Sequence, residues 1–161
     1  MSVVVFLVLI FGNYLSVSAL GLTYYVSTTG KDTNACTSAA PCATFTKAMS
    51  VAQAGDVVHI FGGTYSQSLV ISKSSITVEG DGAVINTSAQ NGIRVMSTAQ
   101  NVTVRDFTVT GTTSHAIYIQ GQNVTVANNI VSRVRPIQRS TVGTESMMLT
   151  TAVATRGPRS K

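Results

Sequence analysis

The sequence predicts an all-β chain wound as a parallel β-helix, a solenoid with one short capping α-helix ahead of its coils. Three observations carry this expectation. Short pairs of the form I-x-I or V-x-V recur along the chain, Gly, Asn, Ser and Thr separate them, and each pair resembles the one a full period later more than its neighbour. Leu69/Ile71, Ile93/Val95 and Ile117/Ile119 recur at 24 and 24 residues, while Ile76/Val78, Val102/Val104 and Val124/Val126 recur at 26 and 22. A third set runs from Ala83 to Ile85, through Phe107/Val109, to Ile130. Each strand offers only two inward residues, too few to bury a face alone, but coils stacked at ~4.8 Å build a continuous column of branched side chains. An antiparallel sandwich would also show many short strands, but not this periodicity.

The elements follow in order. The opening MSVVVFLVLIFGNYLSVSALG has an apolar run from Val3 to Phe11 and a small-residue pattern ending at Ala19. Residues 1–19 read as a cleaved secretory signal, with an uncleaved anchor as the alternative; after cleavage no stretch is long enough for a membrane span. Residues 20–55 form a cap. In it TYYVS reads as a short strand, a polar loop holds the cysteines, and Phe45, Ala48, Met49 and Ala52 fall at i, i+3, i+4 and i+7. That spacing makes one apolar helical face, with Thr44 as N-cap and Gly55 as the stop. It suits a lid over the exposed end of the first coil. Residues 56–135 are the coils. From 136 to 161 the paired pattern ceases, and the segment reads as a basic, non-repeating tail without ordered structure. The expectation is therefore about two to three coils of a longer solenoid, truncated.

Charge locates the same boundary. Of the net +5, none belongs to the body: up to Ser132 five basic residues balance five acidic ones, and the excess lies in Arg133, Arg135, Arg139, Arg156, Arg159 and Lys161 against Glu145. A basic patch with interleaved aromatics, which nucleic-acid binding would require, is missing from the coils. Cys36 and Cys42 sit six apart in ACTSAAPC and read as a disulfide closing a small loop in an oxidising compartment. Without His or carboxylate neighbours, and without CxxC spacing, zinc and redox roles are excluded.

The segment YYVSTTGKDTNACTSAAPCATFTKAMSVAQAGDVVHIFGGTY resembles the opening of right-handed parallel β-helix proteins of the pectin-lyase-like superfamily. It is most similar to secreted family 9 polysaccharide lyases. The elements that carry the likeness are YYVS, G-x-D, PCATFTKAM, AGDVVHI and GGTY, and ITVEGDGAVI and the NVTV units extend it to about Val134. The resemblance implies a right-handed coil, an extracellular location and a polysaccharide partner, acidic in the pectate case. It also implies that a full-length relative would use calcium and a basic residue to remove the proton alpha to a uronate carboxyl. Calcium wants six to eight oxygens. The acids of the coils, Glu79, Asp81 and Asp106, do not supply that pattern, so this chain is expected to carry no cofactor, and its catalytic residues stay unassigned. Register places Glu79 over Arg105 as an ion pair between rungs and Asp106 over Gly80.

Candidate binding residues are Arg94 and Tyr118, which with Val70 occupy the outward position of one repeated strand, Lys73 being nearby. A guanidinium beside an aromatic ring suits an acidic sugar, pairing its carboxylate while the ring stacks. His59, between Val58 and Ile60, points outward, and His115 sits in a turn; both read as solvated. Three Asn-x-Ser/Thr signals occur, at Asn86, Asn101 and Asn123. The last two lie in QNVTV copies 22 residues apart, where a side-chain ladder between coils competes with glycan attachment, leaving Asn86 as the better acceptor. Three functions remain open: the N-terminal part of a uronate lyase-like enzyme, a non-catalytic glycan-binding β-helix, and an inactive truncated product.

Overall fold

A computed structural model describes residues 21–132 together with the short segments 146–149 and 152–154. The expected leader, residues 1–19, and the rest of the tail lie outside the described residues.

The described chain is a three-faced parallel solenoid of about three turns. The first face stacks β1 (Thr23–Val26), β2 (Val57–Ile60), the first half of β5 (Thr77–Asn86), the first half of β7 (Gln100–Thr110) and β9 (Gln122–Ala127). The second stacks β3 (Gly63–Tyr65), the second halves of β5 and β7, and β10 (Asn129–Ser132). The third is a separate sheet of β4 (Leu69–Ile71), β6 (Asn91–Val95) and β8 (His115–Ile119). All these pairings are parallel, as chain winding with one hand requires.

The register reproduces the sequence periods except at Ile130, which pairs with Thr108 and is exposed, while Val131 stacks on Val109 in its place. Val58, Val78, Val104 and Val126 stack on the first face, Tyr65, Ile85 and Val109 on the second, and Leu69, Ile93 and Ile117 on the third. Their inward side chains form one buried column. On β8, Ile117 and Ile119 are half-buried, whereas their counterparts Ile93 and Val95 are fully enclosed.

The helix α1 (Phe45–Val51) closes the column's first end. The Thr44 hydroxyl accepts from the Lys47 amide at 3.1 Å, satisfying one of the first-turn donors. Phe45, Ala48 and Met49 are buried, and the Phe45 ring meets Tyr65 at 5.1 Å. The helix stops at Val51, earlier than the Gly55 expected from the pattern. Lys73 explains part of this: its ammonium donates to the Ala52 carbonyl at 2.7 Å and the Ser50 carbonyl at 3.5 Å, holding the helix end to the coil below.

The tail differs from expectation. Two strands, β11 (Ser146–Leu149) and β12 (Ala152–Ala154), lie antiparallel on β10 and β9. Antiparallel pairing needs only backbone groups at an open strand edge, so a segment without the coil's I-x-I pattern can still supply it. The expectation of an unordered stretch from 136 to 161 fails at these two segments.

Candidate functional site

Two surfaces bring chemistry-bearing side chains together. The first is the outward face of the third sheet. Because residues alternate along a strand, β4, β6 and β8 present Val70, Arg94 and Tyr118 in one file, the register pairing Val70 with Arg94 and Arg94 with Tyr118. The Arg94 guanidinium donates through Nε and Nη2 to Gln120 Oε1 at 3.3 and 2.9 Å, and its carbon stands 6.0 Å from the Tyr118 ring centre. Gln120 therefore holds the guanidinium over the ring without neutralising it. Among the described residues no carboxylate pairs with Arg94, which is half-buried. The Tyr118 ring in turn meets His115 at 5.0 Å, tilted by 37°. His115 Nδ1 lies 2.8 Å from the Ser114 hydroxyl. Val70 is 46% exposed, and beside it a groove of about 430 Å³ runs between the helix and β4, lined by Met49, Ser50, Ser72 and Lys73. Lys73 belongs to this groove as the helix anchor, not to the Arg94 file.

The second surface is the corner where the chain bends between the first and second faces. Here β2, β5 and β7 place His59, Glu79 and Arg105 on successive rungs. Glu79 Oε1 is 2.9 Å from His59 Nδ1, Glu79 Oε2 accepts from Arg105 Nη2, and Arg105 Nη1 donates to Asp106 Oδ2 at 2.9 Å. The Glu79–Arg105 ion pair lies where register puts it. His59, read from sequence as a solvated side chain, is instead bonded to Glu79 and packed against Tyr25 and Phe61, with ring centres 5.5 and 5.2 Å away. A groove of about 510 Å³ opens beside these residues, with Asp81, Asn128 and Ile130 on its walls.

The corner itself is built by Asp106 and Gly80, stacked as register expects, together with Asn128 and Asn129, which sequence reasoning missed. Asp106 and Asn128 take left-handed backbone conformations, φ 65° and 54°, which short polar side chains tolerate. Gly80 lets the next coil approach: a Cβ there would stand 2.8 Å from both the Asp106 carbonyl and the Phe107 ring. Asn129, fully buried, then ties three backbone groups together. Its Nδ2 donates to the Val104 and Ala127 carbonyls at 3.1 and 2.9 Å, and its Oδ1 accepts from the Phe107 amide at 3.0 Å. Only the rule that a buried amide must find partners could have drawn attention to it.

Calcium does not fit these residues. Both oxygens of Glu79 and one of Asp106 already serve His59 and Arg105, and no set of three potential metal-ligating side chains converges among the described residues. Two other acids are structural. Asp32 accepts from the Thr44 hydroxyl and from the Ala43 and Thr44 amides, and the Thr44 bond leads in holding its pKa below the ordinary value. Asp56 accepts from the Leu22 and Gln53 amides.

The cysteines are joined, Cys36 to Cys42, with Cα atoms 4.7 Å apart. The two QNVTV asparagines lie in a file: Asn123 Nδ2 donates to Asn101 Oδ1 at 3.2 Å. Both are exposed, at φ 51° and 55°, so the ladder runs along the surface.

Comparison with known proteins adds a family model described as "Pel9A-like, right handed beta helix region", which matches residues 24–147. A solved structure titled "Rhamnogalacturonan lyase" is 18% identical, with a TM-score of 0.43, over 68% of this chain and 40% of that one. The chain thus spans less than half the length of that structure. No curated protein matches it.

Proposed function

The chain belongs to the Pel9A-like right-handed β-helix family, and from that premise we propose that it binds an acidic polysaccharide along the outward face of β4, β6 and β8. The family is pectin-lyase-like and polysaccharide-related. The observation that carries the finer reading is Arg94, held by Gln120 above Tyr118 with no carboxylate partner among the described residues. In this reading Arg94 pairs a uronate carboxylate, and the Tyr118 ring supports the apolar face of an adjacent sugar. Exposed Val70 extends the file one rung toward the helix, which suits a polymer lying along the solenoid axis. Extracellular action is part of the reading; the Cys36–Cys42 disulfide supports it, since such bonds persist where thiols are oxidised.

The test is binding of polygalacturonate by calorimetry. Removing a charged hydrogen-bonding partner costs about 1.5–3 kcal/mol, so Arg94→Ala is expected to weaken binding by roughly 10- to 100-fold. Tyr118→Ala is expected to weaken it less and with reduced enthalpy. Unchanged affinity in both variants would defeat the assignment of this face.

A uronate lyase reaction is the second reading, favoured by family membership. Its readout is the absorbance of unsaturated uronate products from polygalacturonate with calcium added, and none would form if the chain only binds.

A further inference from the structure

Three Asn-x-Ser/Thr signals lie within the described coils, and the geometry separates them. Asn86 ends β5 and is exposed, as is Ser88 two residues on. The Asn86 side-chain oxygen rests over Gly111, where a Cβ would stand only 2.6 Å away. Among the described residues nothing bonds its Nδ2, the atom to which a glycan attaches. In the loop from 87 to 90, Thr87 is buried and its hydroxyl takes the Ala89 amide at 3.2 Å. Asn86 therefore stands exposed at the end of its strand, beside a bend closed by the Thr87–Ala89 hydrogen bond.

The other pair is arranged differently. Gln100 pairs with Gln122 and Val102 with Val124, so Asn101 and Asn123 occupy adjacent rungs, separated by the ~4.8 Å that spaces neighbouring strands. Asn123 Nδ2 already donates to Asn101 Oδ1. Either amide can keep that bond after losing one N–H hydrogen to a glycan, but two pyranose rings cannot start side by side at one strand spacing.

We propose that Asn86 carries an N-linked glycan and that the Asn101/Asn123 file carries at most one. In the transfer, Asn86 Nδ2 bonds to C1 of a sugar presented on a lipid pyrophosphate carrier. The C1–O bond breaks, the lipid pyrophosphate leaves, and the displaced Nδ2 proton passes to a base of the transferring enzyme. The inference rests on the secretory reading of the chain, so the experiment scores secretion and occupancy separately.

The full chain is expressed in a eukaryotic secretory host, and medium and cell fractions are mapped by glycopeptide mass spectrometry after enzymatic deglycosylation in heavy-oxygen water. The expected result is heavy-oxygen Asp at position 86 in most molecules, and no single molecule labelled at both 101 and 123. Ser88→Ala, which keeps Asn86 and its contacts, is expected to remove one glycan's mass. Secreted chain with residue 86 unlabelled overturns the site, and molecules labelled at both 101 and 123 overturn the exclusion. Unglycosylated chain confined to the cytosol overturns the secretory premise and the proposal with it.

Discussion

Asn129→Ala removes the amide that joins three strand segments at the solenoid corner. The Phe107 amide and the Val104 carbonyl, both interior, lose their partner, while the part-buried Ala127 carbonyl can turn to water. A buried group left without a hydrogen bond costs about 1–3 kcal/mol, which puts the variant about 4 kcal/mol below the parent chain. Domains of this size have only about 5–15 kcal/mol of stability. With a urea slope of about 2 kcal/mol per molar, the unfolding midpoint should fall by about 2 M. The assay is urea unfolding followed by circular dichroism near 218 nm, roughly the β-sheet minimum. Asn123→Gly serves as the contrast: its ladder bond is exposed, glycine takes the φ of 51° without strain, and the cost should stay within about 0.5 kcal/mol. If the two variants lose the same stability, or Asn129→Ala loses under about 1 kcal/mol, the reasoning about the buried amide is refuted.

Gly80→Ala should cost about 1–3 kcal/mol by forcing its new methyl against the Asp106 carbonyl and the Phe107 ring, read by the same unfolding curve. Lys73→Met keeps the aliphatic stem but loses the cation at the Ala52 carbonyl, and thermal unfolding should report a loss of about 0.5–1 kcal/mol that shrinks in high salt. Replacing both Cys36 and Cys42 by Ser should cost about 2 kcal/mol from the reopened small loop, and reductant should lower the parent's melting point but not the variant's. Asp32 has a pKa below its ordinary value, chiefly through the Thr44 hydroxyl. Its stabilising effect is therefore present above the ordinary carboxylate range and lost as pH falls through the lowered folded value. Asp32→Asn should flatten that part of the acid-side decline, which begins below the ordinary carboxylate range of roughly pH 4.

What could be read from sequence was whatever repeats. The Val and Ile pairs, the Glu79–Arg105 register and the QNVTV file all recur at coil spacing, so each copy supports the next. The helix face and Thr44 cap follow from local spacing alone. Asn129 occurs once in its series: the places one and two coils earlier hold Phe107 and Ala83, since Ile130 pairs with Thr108 and Phe107 with Ala83. A single buried amide among apolar counterparts leaves no periodic trace. The His59–Glu79 bond spans 20 residues, shorter than the 22 to 26 of the later coils, which hid it from the repeat. Lys73 reads as a surface charge until the helix end is in place beside it. Strands β11 and β12 pair through backbone, which side-chain patterns do not announce.

The reading of the β4, β6 and β8 face as a site for acidic polysaccharide rests on charge at Arg94. The most direct measurement is the affinity of the full chain for polygalacturonate beside that for the same polymer fully methyl-esterified. Esterification leaves chain length and ring faces in place but removes the carboxylates. Binding of the acidic form at least roughly 10-fold tighter, a margin that Arg94→Ala abolishes, is the expected result. Equal affinity for the two polymers would contradict the account.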